Sequence, residues 1–361
     1  MNKMTLPEPQ PTPEEWRRLF AAAQAFKDAA PWEWMQEEAI FGVRDPESGE
    51  LGFCSITGTL GEHLALIVYQ GEKGLGRYCI ALAAMQAATG DLQAQEAGYL
   101  LLETPQLQAS FEDRNTLSSL ERRVIKDLGL HFRGHQAWPW FRAFMPGRVP
   151  WFITAPQARF LTVMLEQSLI MAQALQEPDA LPLDWIEVLP LPEELDLQVR
   201  TQEKGVWLLR QETVKPRYLQ VQFENNAESL ATWRRKLPLQ NVRMQVHLSP
   251  MLSGVLEGDP PPYLPYSLLA VEEEDGMIMG HALLLAQPNL AEMFEKLPDR
   301  LLEIFQQLKF RPQEVQVASS RLYDLLALYL GQLGIALTFH TELPALEEAL
   351  AALNQIMEDG P

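Results

Sequence analysis

The sequence predicts an α+β protein built from two domains. A β-rich section with flanking amphipathic helices fills the chain before residue 176. Residues 242–350 then follow a different pattern, in which strands lead and afterwards alternate with helices. Four prolines between residues 177 and 192 interrupt regular structure between these two sections. The chain of 361 residues is long enough for two domains, and we place them at residues 1–178 and 179–361, with the core of the second at 242–355.

The first domain begins with a strongly signalled helix. Thr12 can cap it, Pro13 suits the first helical position, and Glu15 completes a capping box. The pattern after this helix predicts strands on both sides of a turn at 45–49, a buried strand at 64–71 and a helix at 74–88. The remainder predicts a buried strand at 98–104, an amphipathic helix at 116–130, strand and loop over 131–154, and a long apolar helix at 156–175.

The second domain opens with two runs that predict paired strands, at residues 205–214 and 219–224, and a short helix at 228–238. The core follows in the order strand, strand, tight turn, strand, long helix, strand, helix, strand, helix. Asp275-Gly276 supplies the tight turn. Leucines at helical spacing from Leu322 to Leu333 give the penultimate helix one apolar face.

In order and spacing, residues 242–350 resemble the core of the ribonuclease-H and retroviral-integrase superfamily. That resemblance implies two divalent metals held by carboxylates on the first strand, the fourth strand and the last helix. Here the first position falls at residues 247–249 and the second at Ala318, and neither carries an acid. Only Glu347 or Glu348 keeps the last one. Since neutral side chains hold hard cations poorly, we expect a degenerate core that keeps the ribonuclease-H-like order of a mixed sheet with flanking helices.

The whole chain also resembles a family of bacterial two-domain proteins of unknown function. A tryptophan-led first domain carries the pattern, here Asp45-Pro46, Gly49-Glu50, Gly58, Gly61-Glu62, Val68-Tyr69 and Gly71. This family implies no activity.

Charge and composition narrow the function classes. Lys and Arg number 29 against 48 Asp and Glu, which gives a formal net charge of -19. Such a surface repels phosphate backbones and anionic lipid heads, so nucleic acid is an unlikely partner and no membrane association is expected. Two cysteines outside any CxxC pair, no signal-peptide pattern and no long apolar run predict a cytoplasmic protein.

An aromatic and arginine-rich segment is the most unusual local composition. Its members are Arg133, Trp138, Trp140, Arg142, Arg148 and Trp151. Aromatic side chains beside arginines can form a surface for a ligand or partner. The alternative is that several of them fill the core of the first domain.

No motif predicts a metal or a cofactor. The glycines at 71, 74 and 76 lie between a strand and a helix, but their spacing is not that of a P-loop, and a glycine turn into a helix is favoured. His131 and His135 are four residues apart, yet Gly134 argues against a helix that would bring them together.

Two functional hypotheses follow. The first is a non-catalytic protein that binds an unknown protein or small-molecule partner, so an enzymatic role is uncertain and disfavoured. The alternative is a metal-dependent hydrolase or nuclease with an atypical site made of Glu272, Asp275, Glu347 and Glu348.

Overall fold

The computed structural model describes residues 6–177, 183, 186–223, 227–251 and 261–358. Two compact units are present, and each is discontinuous in sequence. The first unit comprises Met1–Ile80, Glu103–Met145 and Pro150–Tyr218. The second comprises Ala81–Leu102, Pro146–Val149 and Leu219–Pro361. The domain boundary expected between residues 178 and 179 lies outside the described residues.

The regular elements confirm an α+β protein with two mixed sheets. The helices are α1 Pro13–Ala29, α2 Gly71–Ala87, α3 Asp91–Leu102, α4 Ser119–Asp127, α5 Ala155–Ala174, α6 Ala227–Lys236, α7 Leu290–Glu295, α8 Leu297–Leu308, α9 Ser320–Leu333 and α10 Pro344–Glu358. The strands are β1 Ile40–Arg44, β2 Leu51–Thr57, β3 Ala65–Gln70, β4 Gln106–Glu112, β5 Trp138–Phe144, β6 Leu195–Glu203, β7 Val206–Val214, β8 Leu239–Pro250, β9 Pro265–Glu272, β10 Ile278–Leu285, β11 Arg311–Val317 and β12 Ala336–Phe339.

The first unit is built on a seven-stranded sheet in the order β5-β4-β3-β2-β1-β6-β7. All its pairings are antiparallel except that of β1 with β6. Helices α1 and α5 pack together beside it, and Phe41, Leu107 and Leu165 belong to the resulting core. The capping box expected at Thr12 is present, since its Oγ1 accepts from Glu15 N and the Glu15 carboxylate accepts from Thr12 N.

Two expectations for individual elements were wrong. Residues 98–102 of the expected strand at 98–104 belong to helix α3, and the strand of this region is β4. A short apolar run cannot distinguish a buried strand from a buried helix, because periodicity is the only local signal and it is missing there. The expected strand at 219–224 is likewise absent from residues 219–223, and β7 pairs instead with β6.

The second unit has a five-stranded sheet in the order β10-β9-β8-β11-β12. Strands β8, β9 and β10 pair antiparallel, whereas β11 is parallel to both β8 and β12. From β8 onward the elements follow the order expected for residues 242–350, with the short helix α7 added before the long helix α8. Alternate residues of β9 point to different clusters: Leu268 joins the core with α8 and α9, and Leu269 joins a smaller cluster with α3 and α10.

The core of the first unit provides a direct test of this architecture. Phe41 is fully buried on β1, so Phe41→Ala would leave a cavity in a packed interior and should lower the free energy of unfolding by ~3–5 kcal/mol. The matched control is Leu60→Ala, because Leu60 is 85% exposed, and it should change stability by less than ~0.5 kcal/mol. Urea unfolding followed by circular dichroism measures both, and a loss below ~1 kcal/mol for Phe41→Ala would contradict this core.

Candidate functional site

Buried polar side chains meet where the parallel strands β8 and β11 lie side by side. The chain leaves these two strands toward opposite edges of the sheet, and such a point in an open α/β sheet is the usual place for a ligand. Gln245 of β8 donates from Nε2 to Oε1 of Gln316 on β11 at 3.2 Å. Gln245 Oε1 accepts from the backbone N–H of Leu346 in α10 at 2.9 Å, so the amides tie this helix to the sheet.

The amide pair continues to the β9–β10 turn. Gln316 Nε2 donates to the Glu273 carboxylate at 3.3 Å, and Glu273 also pairs with Arg243. Buried amides of this kind stabilise a fold only when their hydrogen bonds are made, and here they are made to other residues of the same unit.

Helix α3 contributes a buried carboxylate to the same region. Ser319 caps α9 by accepting from Leu322 N at 2.9 Å, and its hydroxyl donates to Glu96 Oε1 at 2.5 Å. Arg321 Nε lies 3.4 Å from the same oxygen, and its guanidinium lies 5.1 Å from the centre of the Phe294 ring. Pairing offsets the cost of burying two charges, so Glu96 is held in place by Ser319 and Arg321.

His247 is the buried base of this region. Its side chain lies within β8 and is 4% exposed, and Nε2 has no hydrogen-bond partner among the described residues. Burial, assisted by the nearby positive charge of Arg321, lowers the pKa of His247 to about 4. The imidazole is therefore neutral at pH 7.

The positions at which the ribonuclease-H resemblance would place the first two metal-binding acids hold other residues. The first is occupied by His247 and its neighbours on β8, and the second by Ala318, which is buried in an apolar cluster with Leu269 and Leu346. Among the residues that the structure describes, no group of three or more His, Cys, Asp and Glu side chains is placed to hold a metal ion.

The four acids of the hydrolase hypothesis lie in two places. Glu272 is the last residue of β9 and Asp275 lies in the turn that follows, and Glu272 Oε2 accepts from Asp275 N at 2.8 Å. Glu347 and Glu348 are exposed in the first turns of α10, and Glu347 Oε1 accepts from Leu343 N at 3.2 Å. These bonds are those of a turn and of a helix start, so the hypothesis gains no support from them.

The aromatic and arginine-rich segment divides into buried and exposed members. Arg142 is 8% exposed, pairs with Glu121, and places its guanidinium 4.0 Å from the Trp140 ring and 4.8 Å from the Phe152 ring. Trp151 is also buried, and its backbone bonds to Ala143. Arg142 and Trp151 therefore help to fill the core of the first unit, which was the alternative to a binding surface.

Arg148 makes its contacts within the second unit. Its Nη1 donates to the carbonyl of Pro261 at 2.6 Å, and its guanidinium stacks 3.4 Å from the centre of the Tyr263 ring. Arg133 and Trp138 are the two members that line an open surface.

A loop at residues 130–133 separates two hollows of the first unit, which together we call the 130–138 groove. One hollow, of about 540 Å³, lies between this loop and α1. The other, of about 500 Å³, lies between the loop and Arg114 and Trp138. The aromatic members pack on one another: Phe132 lies 5.8 Å from both Phe20 and Trp138 between ring centres.

The groove has a cationic rim. Arg17, Lys27, Arg114 and Arg133 line it, and Asp28 is the one acid among the lining residues. Burial lowers the pKa of Lys27, whose ammonium donates to the carbonyl of Gln136 at 2.5 Å. Apolar rings beside several cations can bind a ligand that is both acidic and apolar.

Asp113 holds residues 135 and 136, which follow the loop that separates the hollows. Its carboxylate accepts from Gln136 N at 2.9 Å and lies 2.9 Å from His135 Nδ1. Gln136 has a φ of 45°, in the left-handed region, and the side chain reaches the carbonyls of Gly61 and Glu62 at 3.1 Å. The Gln136 N–H, followed by His135, lowers the pKa of Asp113.

The two cysteines and the glycines at the start of α2, which could also carry chemistry, have structural explanations. Cys54 and Cys79 are buried, and burial raises the pKa of each thiol to about 12, so neither is a ready nucleophile. At Gly76 a Cβ atom would lie 2.5 Å from the carbonyl oxygen of Arg217, so close backbone packing requires glycine there.

Comparisons with known proteins agree with the two-part organisation. Residues 16–187 match the family model "Domain of unknown function (DUF7309)". Residues 230–354 match the model "Domain of unknown function (DUF6930)". The chain combines two domains of unknown function. The DUF7309 match contains the 130–138 groove. The DUF6930 match contains His247, Gln245, Gln316, Ser319 and Arg321, whereas Glu96 falls within the DUF7309 match.

No curated protein matches the chain at a significant level. Within the described part of the chain, no helix is long and apolar enough to cross a membrane.

Sequence reasoning missed Glu96, Ser319 and Arg321, and it missed the α1 side of the groove. The sequence pattern did not indicate Glu96, because it predicts a strand at 98–104 where helix α3 continues to Leu102. Arg17 and Lys27 lie ten residues apart on α1, and no local pattern links them to residues 130–138. Ser319, two residues after the end of β11, was a usable signal, since Ser before an amphipathic run is a common helix cap.

His247 should make stability depend on pH. Its pKa falls from 6.5 to about 4 on folding, so the unfolded state binds more protons between these values. The resulting loss of stability begins as pH falls below about 6.5 and is complete near pH 4, and it amounts to about 3 kcal/mol at ~1.4 kcal/mol per pKa unit.

His247→Gln should therefore show a smaller loss of stability between pH 6.5 and 4 than the wild type, as measured by urea unfolding at several pH values. Leu60→Ala is the control, because Leu60 is 85% exposed and has no titratable group, and its pH profile should equal that of the wild type. Equal profiles for all three proteins would contradict the buried neutral imidazole.

Asp113 should control the order of the backbone at residues 135 and 136. Asp113→Ala removes the acceptor of the Gln136 N–H, so hydrogen exchange at this amide should become faster. Asp127→Ala, a change at an exposed acid of α4, should leave that exchange rate unchanged. Because the pKa of Asp113 is lowered, its stabilisation is present above the unfolded pKa and is lost as pH falls through the folded pKa.

Proposed function

We propose that the protein is a non-catalytic, cytoplasmic binding protein whose first unit binds an acidic, partly apolar peptide segment of another protein. The observation that carries this proposal is the 130–138 groove, in which four cations surround a row of packed aromatic rings. Arg133 and Trp138, two residues expected to form a partner surface, both line it.

The shape of the groove favours an extended peptide over a small molecule. Sites for small ligands usually enclose most of the ligand surface. The two hollows instead share residues 130–133 and continue on both sides of that loop. A peptide can cross the loop and place an apolar side chain in each hollow, near Phe20 on one side and Trp138 on the other.

The positive charge of the groove determines that a partner must carry negative charge. The net charge of -19 would repel an acidic peptide at long range. At physiological salt, however, charges more than about 8–10 Å apart are largely screened. The cations that line the groove lie within contact range of a bound peptide, so they determine its affinity.

The second unit supports a role without catalysis. We propose that it is a degenerate ribonuclease-H-like core in which His247 and Ala318 stand where two of the metal-binding acids would lie. The support is the chain order of its elements, together with the hydrogen bonds that Gln245, Gln316 and Glu96 make within the unit.

Binding should be tested with a pair of synthetic peptides that differ only in charge. One twelve-residue peptide alternates Glu with Leu and Phe, and the second carries Lys in place of every Glu. We expect calorimetry at 0.15 M salt to detect the acidic peptide alone, with an affinity that weakens as salt is raised.

Arg133→Glu and Arg114→Glu should each weaken binding of the acidic peptide at least about tenfold, a loss of ~1.4 kcal/mol. Both side chains are exposed, so the fold should tolerate these changes. Arg123→Glu is the matched control, because Arg123 is exposed on α4 and does not line the groove. Binding of the Lys peptide, or equal losses for Arg123→Glu and Arg133→Glu, would refute the proposal.

A further inference from the structure

Strand β10 is an edge of the five-stranded sheet. It pairs with β9 on one side, and no other strand of the described chain pairs with its second side. No strand of the described chain therefore bonds to the backbone N–H and C=O groups on that second side. Proteins usually protect such an edge with charge, with proline, with a bulge or by making the strand very short.

The side chains of β10 leave an apolar strip beside this edge. Leu283 is 54% exposed and Leu285 is 36% exposed, and the adjoining Met277 and Ile278 are 57% and 44% exposed. The opposite face of the strand is anchored in the unit, because Leu284 is buried and α8 packs against the strand. The strand is thus held firmly on one face and exposes leucines on the other.

The sequence around β10 lacks the usual protection. Residues 276–291 contain no Asp, Glu, Lys or Arg, although 21% of the residues in the chain are charged. The other edge strands differ: β7 carries Arg210 and Glu212, β5 carries Arg142, and β12 has only four residues. A bulge is present at Ile278/Gly280, but residues 281–285 beyond it pair regularly with β9.

We propose that β10 is the interface through which two copies of this chain associate. Two β10 strands would pair antiparallel around a two-fold axis and join their sheets edge to edge. In such an interface the same surface is present on both sides, so any charge near the axis would face its own copy at close range. The uncharged stretch at 276–291 avoids this repulsion, and elsewhere the net charge of -19 disfavours self-association.

The exposed leucines provide the apolar part of the interface. In an antiparallel pair, side chains on one face lie about 4.5–5.5 Å from the residue directly opposite, and diagonal neighbours are still within reach of long side chains. Leu283 and Leu285 of each copy would then pack against the same residues of the second copy. Backbone hydrogen bonds and leucine packing together would stabilise the dimer.

The oligomeric state of the full chain tests this proposal. Sedimentation equilibrium or light scattering at concentrations up to about 100 µM should show a dimer, since a stable interface has a dissociation constant well below this value. The double variant Leu283→Lys, Leu285→Lys places four like charges at the interface, so its dissociation constant should rise at least about a hundredfold.

Leu328→Lys is the matched control, because Leu328 is 70% exposed on α9 of the same unit. It should leave the dimer intact, and circular dichroism should show that all variants remain folded. Amide hydrogen exchange gives an independent measurement: residues 281–285 should become more protected as the wild-type concentration rises, whereas the double variant should show no such change.

A wild-type chain that is monomeric at about 100 µM would overturn the proposal and leave the edge for a strand of a different protein. A dimer that survives the double variant would also overturn it, because the interface would then lie elsewhere.

Discussion

The parallel pairing of β8 with β11 is the constraint on which the second unit depends. Parallel neighbours cannot be joined by a hairpin, so the chain must cross over through helices between them. Helices α7 and α8 lead into β11, and α9 connects β11 to β12, which is again parallel. The buried leucines of α8 and α9 form the main core because these crossovers lay them against the sheet.

The same pairing explains why polar groups are buried in this unit. Two parallel strands that lead to opposite edges leave an opening at their ends, and natural α/β proteins commonly bind ligands there. In this chain hydrogen bonds within the unit occupy this region: Gln245 bonds to Gln316 and to α10, Gln316 bonds to Glu273, and Glu96 of α3 bonds to Ser319. These hydrogen bonds stabilise the second unit. We therefore propose that binding takes place on the first unit.

The sequence was sufficient to predict the α+β class and most individual elements, because their signals are local. The cap at Thr12, the leucine spacing of α9 and the turn at Asp275-Gly276 each lie within a few residues of the element they define. The strand expected at 98–104 failed for the opposite reason. Its apolar side chains fit a buried helix as well as a buried strand, and the choice depends on distant packing.

The candidate site was harder to predict, since its residues come together only in the folded chain. Arg142 and Arg133 are nine positions apart in one unusual segment, and composition alone cannot tell that the first is buried against Glu121 while the second is exposed. The burial of Arg142 depends on the face of β5 to which its side chain points and on its acidic partner, Glu121 of α4. The cations of α1 join the groove through tertiary structure, which no spacing rule contains.

The discontinuity of the second unit has a practical consequence for dividing this protein. A fragment that begins after residue 218 would lack residues 81–102 and 146–149, although both segments belong to that unit. It would expose Leu269 and Ala318, which share a buried cluster with Leu92 of α3. It would also lack Glu96, the carboxylate that pairs with Arg321. Such a fragment would expose an apolar surface that is buried in the intact chain, so it would be prone to aggregate. Fragments for expression should therefore follow the two units and not the sequence matches alone.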